Sequence, residues 1–380
     1  MNKINRVAVI GTISSSMVSF RGSLLADFKS QGCEVFAFAI DYDADTEAKV
    51  KQLGAQPVPY HLERTGTNPI SDLSSTLQLI RLLQQYKIDT VFSYFIKPVI
   101  YASLAAKIAG IPNRFALLPG LGYAFTTTLE QQTTLKQRAV EIVVRQLLKS
   151  SLQQNKRVFL YNPDDIEEVL QSKLVDPQKV CRLNGTGIQL KDYPFVDPWN
   201  SPITFLLAAR LLVEKGIREF AQAAAKIKPL YPHTHFILLG NLDTNPGSLT
   251  EEQIQNWTKD GIIEWPGHVP DIRPWLKKTS VYVLPSYYRE GVPRSTQEAL
   301  AMGRAVITTN APGCRETVKD GVNGYLVPIR DADAIAVAMT QFIKQPTLIA
   351  SMGRESRKLA EEKFDVCKIN AKLLHEMGLT

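Results

Sequence analysis

Short apolar, β-branched runs alternate with helix-length stretches along almost the whole chain, and that rhythm leaves few folds open. The strand candidates begin with "RVAVIGT", "CEVFAFAI", "DTVFSYF", "RFALLPG" and "RVFLYN", with helical patterns between them, notably Leu73 to Tyr86 and Val99 to Ala109. Near-continuous apolar strands separated by helices are the mark of a parallel sheet covered on both faces. A Pro- and Asp-rich passage, "LKDYPFVDPWNSPI" from Leu190 to Ile203, interrupts the pattern and reads as a linker. The alternation then restarts with "TFLLAAR", a helix from Gly216 to Ile227, "HFILLG", "GIIEWPG", "VYVLPS", a helix after Gly291, "AVITTN" and "GYLVP". The expectation is an α/β chain of two Rossmann-like, doubly wound parallel-sheet domains facing a central cleft. Its expected parts are 1–190, a linker at 191–203, a second domain at 204–365, and a helix at 366–380 long enough to pack back across the junction.

Length and composition agree with two ordinary cores: 380 residues, 44% hydrophobic and 21% charged, without a biased tract. The opening residues run straight into a short apolar stretch without a signal-peptide pattern, so the chain is expected in the cytoplasm. No segment reaches the roughly 18 to 20 apolar residues of a membrane span. Cys33, Cys181, Cys314 and Cys367 are scattered, with no C-x-x-C pair, which points to reduced thiols rather than disulfides or zinc. Between Val91 and Leu160 nine cations face two anions, an excess equal to the chain's whole net charge of +7. The charges within 130–157 interleave with Leu135, Val140, Val143, Val144, Leu147 and Leu148 at helical spacing. This reads as an amphipathic element drawn to an anionic membrane surface rather than to nucleic acid; an ordinary solvated helix face is the alternative.

Ligands of open α/β sheets bind at the carboxyl ends of the strands, so the loops there carry the candidate chemistry. The first such loop, "VIGTISSSMVSFRG", has a lone Gly11 where a nicotinamide dinucleotide site needs G-x-G-x-x-G. After "VYVLPS", the stretch "YYREGVPRSTQEALAMG" sets Glu290 and Glu298 eight positions apart around Gly291, Val292 and Pro293, with Arg294 opening a helix. Gly291 permits close backbone approach, Pro293 suits a helix start, and the first-turn amides form a ready site for phosphate oxygens. Glu290 stands at the mouth of that site, and Glu298, about one turn inside, can reach a sugar hydroxyl. In "RLLVEKG", Arg210 and Lys215 are placed to converge on a diphosphate. In "WPGHVPDI", Gly267 and His268 could present backbone groups to a planar base, and Gly240 is a further close-approach glycine. The D-x-D within "DYDAD" (Asp41 to Asp45) follows a strand far from these loops and reads as a decoy rather than a metal site. "HTH" (His233 to His235) reads as packing or surface, and Asp164-Asp165 as a helix N-terminus.

These motifs carry a resemblance. "REGVPRSTQEALAMGRAVITTNAPGCRETVKDGVNGYLVP", with "AARLLVEKG" and "WPGHVPDI", resembles the donor-nucleotide domain of glycosyltransferase family 4, retaining enzymes of the GT-B fold. The resemblance implies that Arg210 and Lys215 hold the donor diphosphate and that Glu290 contacts the donor sugar. The Gly291-Val292-Pro293 turn would bring backbone amides to the pyrophosphate, and Glu298 would bind the ribose. "FIKPVIYASLAAKIAGIPNRFALLPGLGYAF" resembles the acceptor domain of bacterial capsule, O-antigen and lipid-linked N-acetylgalactosamine transferases. That subgroup implies a UDP-sugar donor, an undecaprenyl-diphosphate-linked acceptor and work at the inner face of the cytoplasmic membrane. Many members carry a histidine in the loop matching "LLPGLGYAF"; this chain has none there. Gly11, Arg21, Lys97 and Tyr123 are the acceptor-side candidates. With cations and a helix terminus to stabilise the leaving diphosphate, which would itself serve as base, neither a metal nor a cofactor is expected. The competing readings are a nucleotide-sugar epimerase or hydrolase of the same fold, and a non-catalytic two-lobed sugar-binding protein.

Overall fold

The computed structural model of the protein describes residues 5–63, 69–121, 135–198, 201–243 and 247–379. They form two compact units, Met1–Leu183 with Lys368–Thr380, and Asn184–Cys367.

The first unit runs β1 (Arg6–Ile10), α1 (Ser14–Ser30), β2 (Glu34–Ala39), α2 (Ala44–Gln52), β3 (Ala55–Pro59), α3 (Pro69–Gln85) and β4 (Thr90–Tyr94). It continues with α4 (Ile96–Ile108), β5 (Asn113–Leu118), α5 (Leu135–Leu152), β6 (Arg157–Leu160), α6 (Pro163–Gln171) and β7 (Val180–Arg182). The second runs β8 (Thr204–Ala208), α7 (Ile217–Ile227), β9 (His235–Leu239), α8 (Glu251–Lys259), β10 (Glu264–Gly267), α9 (Arg273–Lys277) and β11 (Val281–Leu284). Then follow α10 (Arg294–Ala301), β12 (Ala305–Thr309), β13 (Gly324–Val327), α11 (Ala332–Lys344), α12 (Thr347–Lys363) and α13 (Val366–Met377).

The seven-stranded sheet of the first unit has the order β3-β2-β1-β4-β5-β6-β7, and the six-stranded sheet of the second has β10-β9-β8-β11-β12-β13. The pairings are parallel, and the central strands β1, β4, β8 and β11 are buried almost throughout, as helices on both faces require. These are two Rossmann-like doubly wound domains. In each sheet the order reverses once beside the first strand, between β1 and β4 and between β8 and β11. Such switch points open a crevice at the strand ends. The second core is built from Phe205, Leu207, Phe220, Phe236 and Ile307, with the Phe205 and Phe236 rings stacked at 5.4 Å. Burying each of these side chains contributes roughly 1.5–3 kcal/mol.

The expected linker departs from the reading above. The first unit ends at Leu183, and the Pro-rich segment lies along the second unit as a fixed strap. The fully buried Arg304 donates to the carbonyls of Thr279 (2.8 Å), Met302 and Val196, while Arg357 Nη1 donates to those of Tyr193 (2.8 Å) and Ala301 (2.7 Å). Prolines here keep the path extended and leave carbonyls to be claimed by arginines, so their density marks a bound strap, not a flexible joint. Burial pulls the Arg304 pKa down to about 10. The chain crosses back after α12. Ile188 and Asp365 pair as a parallel bridge, and α13 returns to the first unit, where Asn370 Nδ2 donates to Ser23 Oγ (3.2 Å) and Asp27 Oδ2 (2.7 Å).

Arg304→Met strips donors from the buried carbonyl of Thr279 and the half-buried carbonyl of Val196. It should lower unfolding stability by about 2–5 kcal/mol, read from urea unfolding followed by tryptophan fluorescence.

Candidate active site

Two loops at the switch point of the second sheet are locked together by one glycine. The loop after β8 closes in a 3-10 turn, Val213–Lys215, that ends at Gly216 with φ +74°. A Cβ at Gly216 would stand 2.1 Å from the carbonyl oxygen of Pro285, in the loop after β11. Only glycine permits both that backbone angle and that approach. The Glu214 carbonyl then accepts the amides of Tyr287 (2.9 Å) and Tyr288 (3.1 Å), which latches the loops.

This latch brings Lys215 and Glu290 into an ion pair, with side chains only 12% and 11% exposed. Ser286 Oγ lies 3.0 Å from Glu290 Oε1 and accepts the Tyr288 amide at 3.2 Å; the Lys215 ammonium sits 5.1 Å from the centre of the Tyr288 ring. Beneath them Cys314 is fully buried, and burial first, then the Glu290 charge, pushes its thiol up to about 12. It is therefore a neutral packing group. Gly313, at φ +76°, presses on the Glu290 and Gly291 carbonyls, where a Cβ would come within 2.4 Å. Glu290 stands deeper than the mouth of the site, at 9% exposure.

Beyond the turn, Pro293 caps α10 without a side-chain hydrogen bond, so no side chain occupies the amides of the first helical turn in the capping position. Val292 and Gln297 are buried; Gln297 accepts the Gly187 amide (3.1 Å) and donates to the Val292 carbonyl (3.1 Å), fixing the turn that carries Gly291. Glu298 Oε1 accepts from Arg294 Nε (3.0 Å) and from the Tyr193 hydroxyl (3.0 Å).

Arg210 does not converge with Lys215 on a shared partner. It is half-exposed and pairs with Asp243 (3.2 Å), whereas Lys215 holds Glu290. Gly240 is a close-approach glycine toward protein: its Cβ would meet the Ala209 carbonyl at 1.9 Å, its amide donates to the Gly267 carbonyl (2.9 Å), and its carbonyl accepts Trp265 Nε1 (3.0 Å). Gly267, at φ +85°, meets nothing within 4 Å of a Cβ, and His268 beside it is exposed.

In the first unit, Gly11 is demanded by Tyr94, whose ring would lie 2.2 Å from a Cβ there. Arg21 is buried, 4.9 Å from the centre of the Tyr94 ring, and donates to the Tyr161 hydroxyl (3.0 Å). Lys97 is tied inward, to buried Asp72 (3.0 Å) and the Glu63 carbonyl (2.8 Å). Tyr123 lies outside the described residues. The acidic "DYDAD" resolves into structural duties: Asp41 accepts the Ser14 amide, Asp43 caps α2 in a capping box with Thr46, and Asp45 pairs with Lys49. No group of three metal-ligating side chains occurs among the described residues. His235 pairs with Glu264, and Asn162 caps α6 with Asp164 and Asp165 in its first turn.

Ser286 and Tyr193 escaped sequence reasoning. Ser286 is the last residue of the strand candidate "VYVLPS", a strand-end position that could have flagged it; Tyr193 lay in a segment with no signal beyond its prolines and aspartates.

Comparison with known proteins adds an independent line. Residues 202–345 match the family model "Glycosyl transferases group 1", and residues 7–158 match "Glycosyl transferase 4-like". The chain is 27% identical to the N,N'-diacetylbacillosaminyl-diphospho-undecaprenol alpha-1,3-N-acetylgalactosaminyltransferase of Campylobacter jejuni, covering 92% of this chain and 93% of that one. It is 26% identical to the UDP-Gal:alpha-D-GlcNAc-diphosphoundecaprenol alpha-1,3-galactosyltransferase of Escherichia coli, covering 79% and 77%. Among solved structures it resembles the Anabaena HepE protein in complex with UDP (TM-score 0.77, 16% identity, 99% and 100% covered). A glycosyltransferase from Rickettsia africae is similar in fold (TM-score 0.76, 18% identity, 99% and 98% covered).

Gly216→Ala sets a Cβ against the Pro285 carbonyl at a positive φ. It should cost about 1–3 kcal/mol of stability by forcing the latched loops apart, read by thermal unfolding.

Proposed function

From the premise that this chain belongs to the glycosyltransferases, with a 4-like domain followed by a group 1 domain, we propose that it transfers a hexosyl unit from a UDP-sugar to a lipid-linked saccharide during synthesis of a bacterial surface glycan. The unit is an N-acetylhexosamine, and transfer retains the anomeric configuration. The observation that carries this reading is the Lys215–Glu290 pair at the switch point, beside a helix N-terminus without a side-chain cap. The acceptor class is supported by the names of the Campylobacter and Escherichia relatives, both of which act on diphospho-undecaprenol-linked sugars. The donor class is supported by the UDP bound in the Anabaena neighbour.

Lys215 and Arg210 each exchange a carboxylate for the donor diphosphate, whose remaining charge meets the first-turn amides of α10. Glu290, released from Lys215, turns to the donor sugar, and Glu298 receives the ribose. The bond from the anomeric carbon to the diphosphate oxygen breaks as the acceptor hydroxyl forms its new bond on the same face. The hydroxyl proton passes to the departing diphosphate, so no protein base and no covalent intermediate is needed. The fixed cations and helix terminus take the part a divalent ion would otherwise play.

Membrane association belongs to the same reading, with the protein peripheral on the inner face of the cytoplasmic membrane. The expected basic stretch at 130–157 falls partly outside the described residues. Its described part, in α5, exposes Ile142 (68%) and Val143 (56%) near Arg145 and Lys149. An apolar pair beside cations suits an anionic lipid surface. Among the described residues no helix is long and apolar enough to cross a membrane.

Incubation with sugar nucleotides and lipid extract in EDTA should give acceptor-dependent UDP release. Glu290→Ala and Lys215→Ala should each lower it by about a hundredfold or more. Conversion without acceptor would point instead to an epimerase or hydrolase, and binding without turnover to a sugar-binding protein. For the surface, sedimentation with anionic vesicles should fall with added salt, and Ile142→Glu with Val143→Glu should weaken it about tenfold; equal binding to neutral vesicles would contradict the assignment.

A further inference from the structure

The strap along the second unit delivers one side chain to the candidate site. Its backbone is held by Arg357 at the Tyr193 carbonyl (2.8 Å) and by Arg304 at Val196. Gly303, at φ +78°, leaves room for Phe195, whose ring would lie 2.5 Å from a Cβ there. The Arg273 guanidinium lies 5.9 Å from the centre of the Tyr193 ring. With the backbone and ring so placed, the Tyr193 hydroxyl donates to Glu298 Oε1 at 3.0 Å, the same oxygen that takes Arg294 Nε–H at 3.0 Å. Oε2 of Glu298 accepts no hydrogen bond among the described residues. The phenol remains a donor, because burial and the adjacent carboxylate raise its pKa well above the ordinary tyrosine range.

A glutamate free to rotate loses conformational entropy when a ligand hydroxyl fixes it, and that loss weakens binding. Two donors on one oxygen remove most of this freedom beforehand and turn the other oxygen into a directed acceptor. We propose that Tyr193 is a positioning residue of the nucleotide site, holding Oε1 of Glu298 so that Oε2 meets the ribose hydroxyls of a nucleoside diphosphate sugar. The inference rests on the assignment of Glu298 to the ribose.

Tyr193→Phe keeps the ring beneath Arg273 and removes only the hydroxyl. Calorimetric titration of the full chain with UDP and with 2′,3′-dideoxy-UDP separates positioning from packing. The variant should bind UDP about three- to tenfold more weakly than the wild type while its affinity for the dideoxy nucleotide stays within about twofold. An equal loss on both nucleotides, or none on either, overturns the role of Tyr193. Glu298→Gln tests the premise in the same titrations. If its loss is no greater on UDP than on the dideoxy nucleotide, the ribose assignment falls and Tyr193 with it. A loss confined to UDP, alongside an unaffected Tyr193→Phe, overturns Tyr193 alone.

Discussion

The contact of Gly216 with the Pro285 carbonyl is the constraint on which the candidate site depends. Strands β8 and β11 are neighbours in the sheet, but their loops leave in directions that the sheet does not dictate. Backbone against backbone, with no side chain between, fixes them at a spacing a lysine and a glutamate can bridge. The Glu214 carbonyl reinforces it through two amides, and Gly313 supports Glu290 and Gly291 from below. The chemistry is carried by side chains, yet their placement is a property of glycines.

Two cations of the proposed diphosphate site are each matched with a carboxylate: Lys215 with Glu290 and Arg210 with Asp243. The buried Lys215–Glu290 pair contributes little net stability but is costly to break one partner at a time, whereas the half-exposed Arg210–Asp243 pair is readily exchanged. A ligand must therefore offer anionic oxygens and, at the same time, hydrogen-bond donors for the carboxylates it displaces. A nucleoside diphosphate sugar has both. A sulfate ion, with no proton to give, has only the first, so this pairing favours a hydroxyl-bearing ligand over such an anion.

Most of the scaffold was legible because buried parallel strands write long apolar runs and helices write a different period between them. The helix expected after Gly291 is α10, and the stretch expected from Gly216 to Ile227 is α7. Strand β3, "AQPVP", was not, since its prolines are tolerated only because it lies at the sheet edge, a fact of topology. The strap was misread for a related reason: prolines signal an extended path, but whether that path is bound depends on Arg304 and Arg357, more than a hundred residues later. Likewise the residues Glu290, Lys215 and Glu298 stand out by spacing and type, whereas the Lys215–Glu290 pairing, Lys97's commitment to Asp72 and Tyr193's reach to Glu298 depend on contacts across 25 to 105 residues of sequence.

The return of α13 to the first unit has a consequence in time. Leu373, Leu374 and Met377 are buried there, Asn370 ties α13 to α1, and Glu376 pairs with Arg157 at the start of β6. During synthesis the first sheet is made before the second unit, but the helix that ties to α1 and to Arg157 is made only after the whole second unit. The second unit, contiguous from Asn184 to Cys367, can complete its core first. The first unit therefore lacks the apolar side chains Leu373, Leu374 and Met377 until the second unit has been made, whereas the second unit is contiguous in sequence.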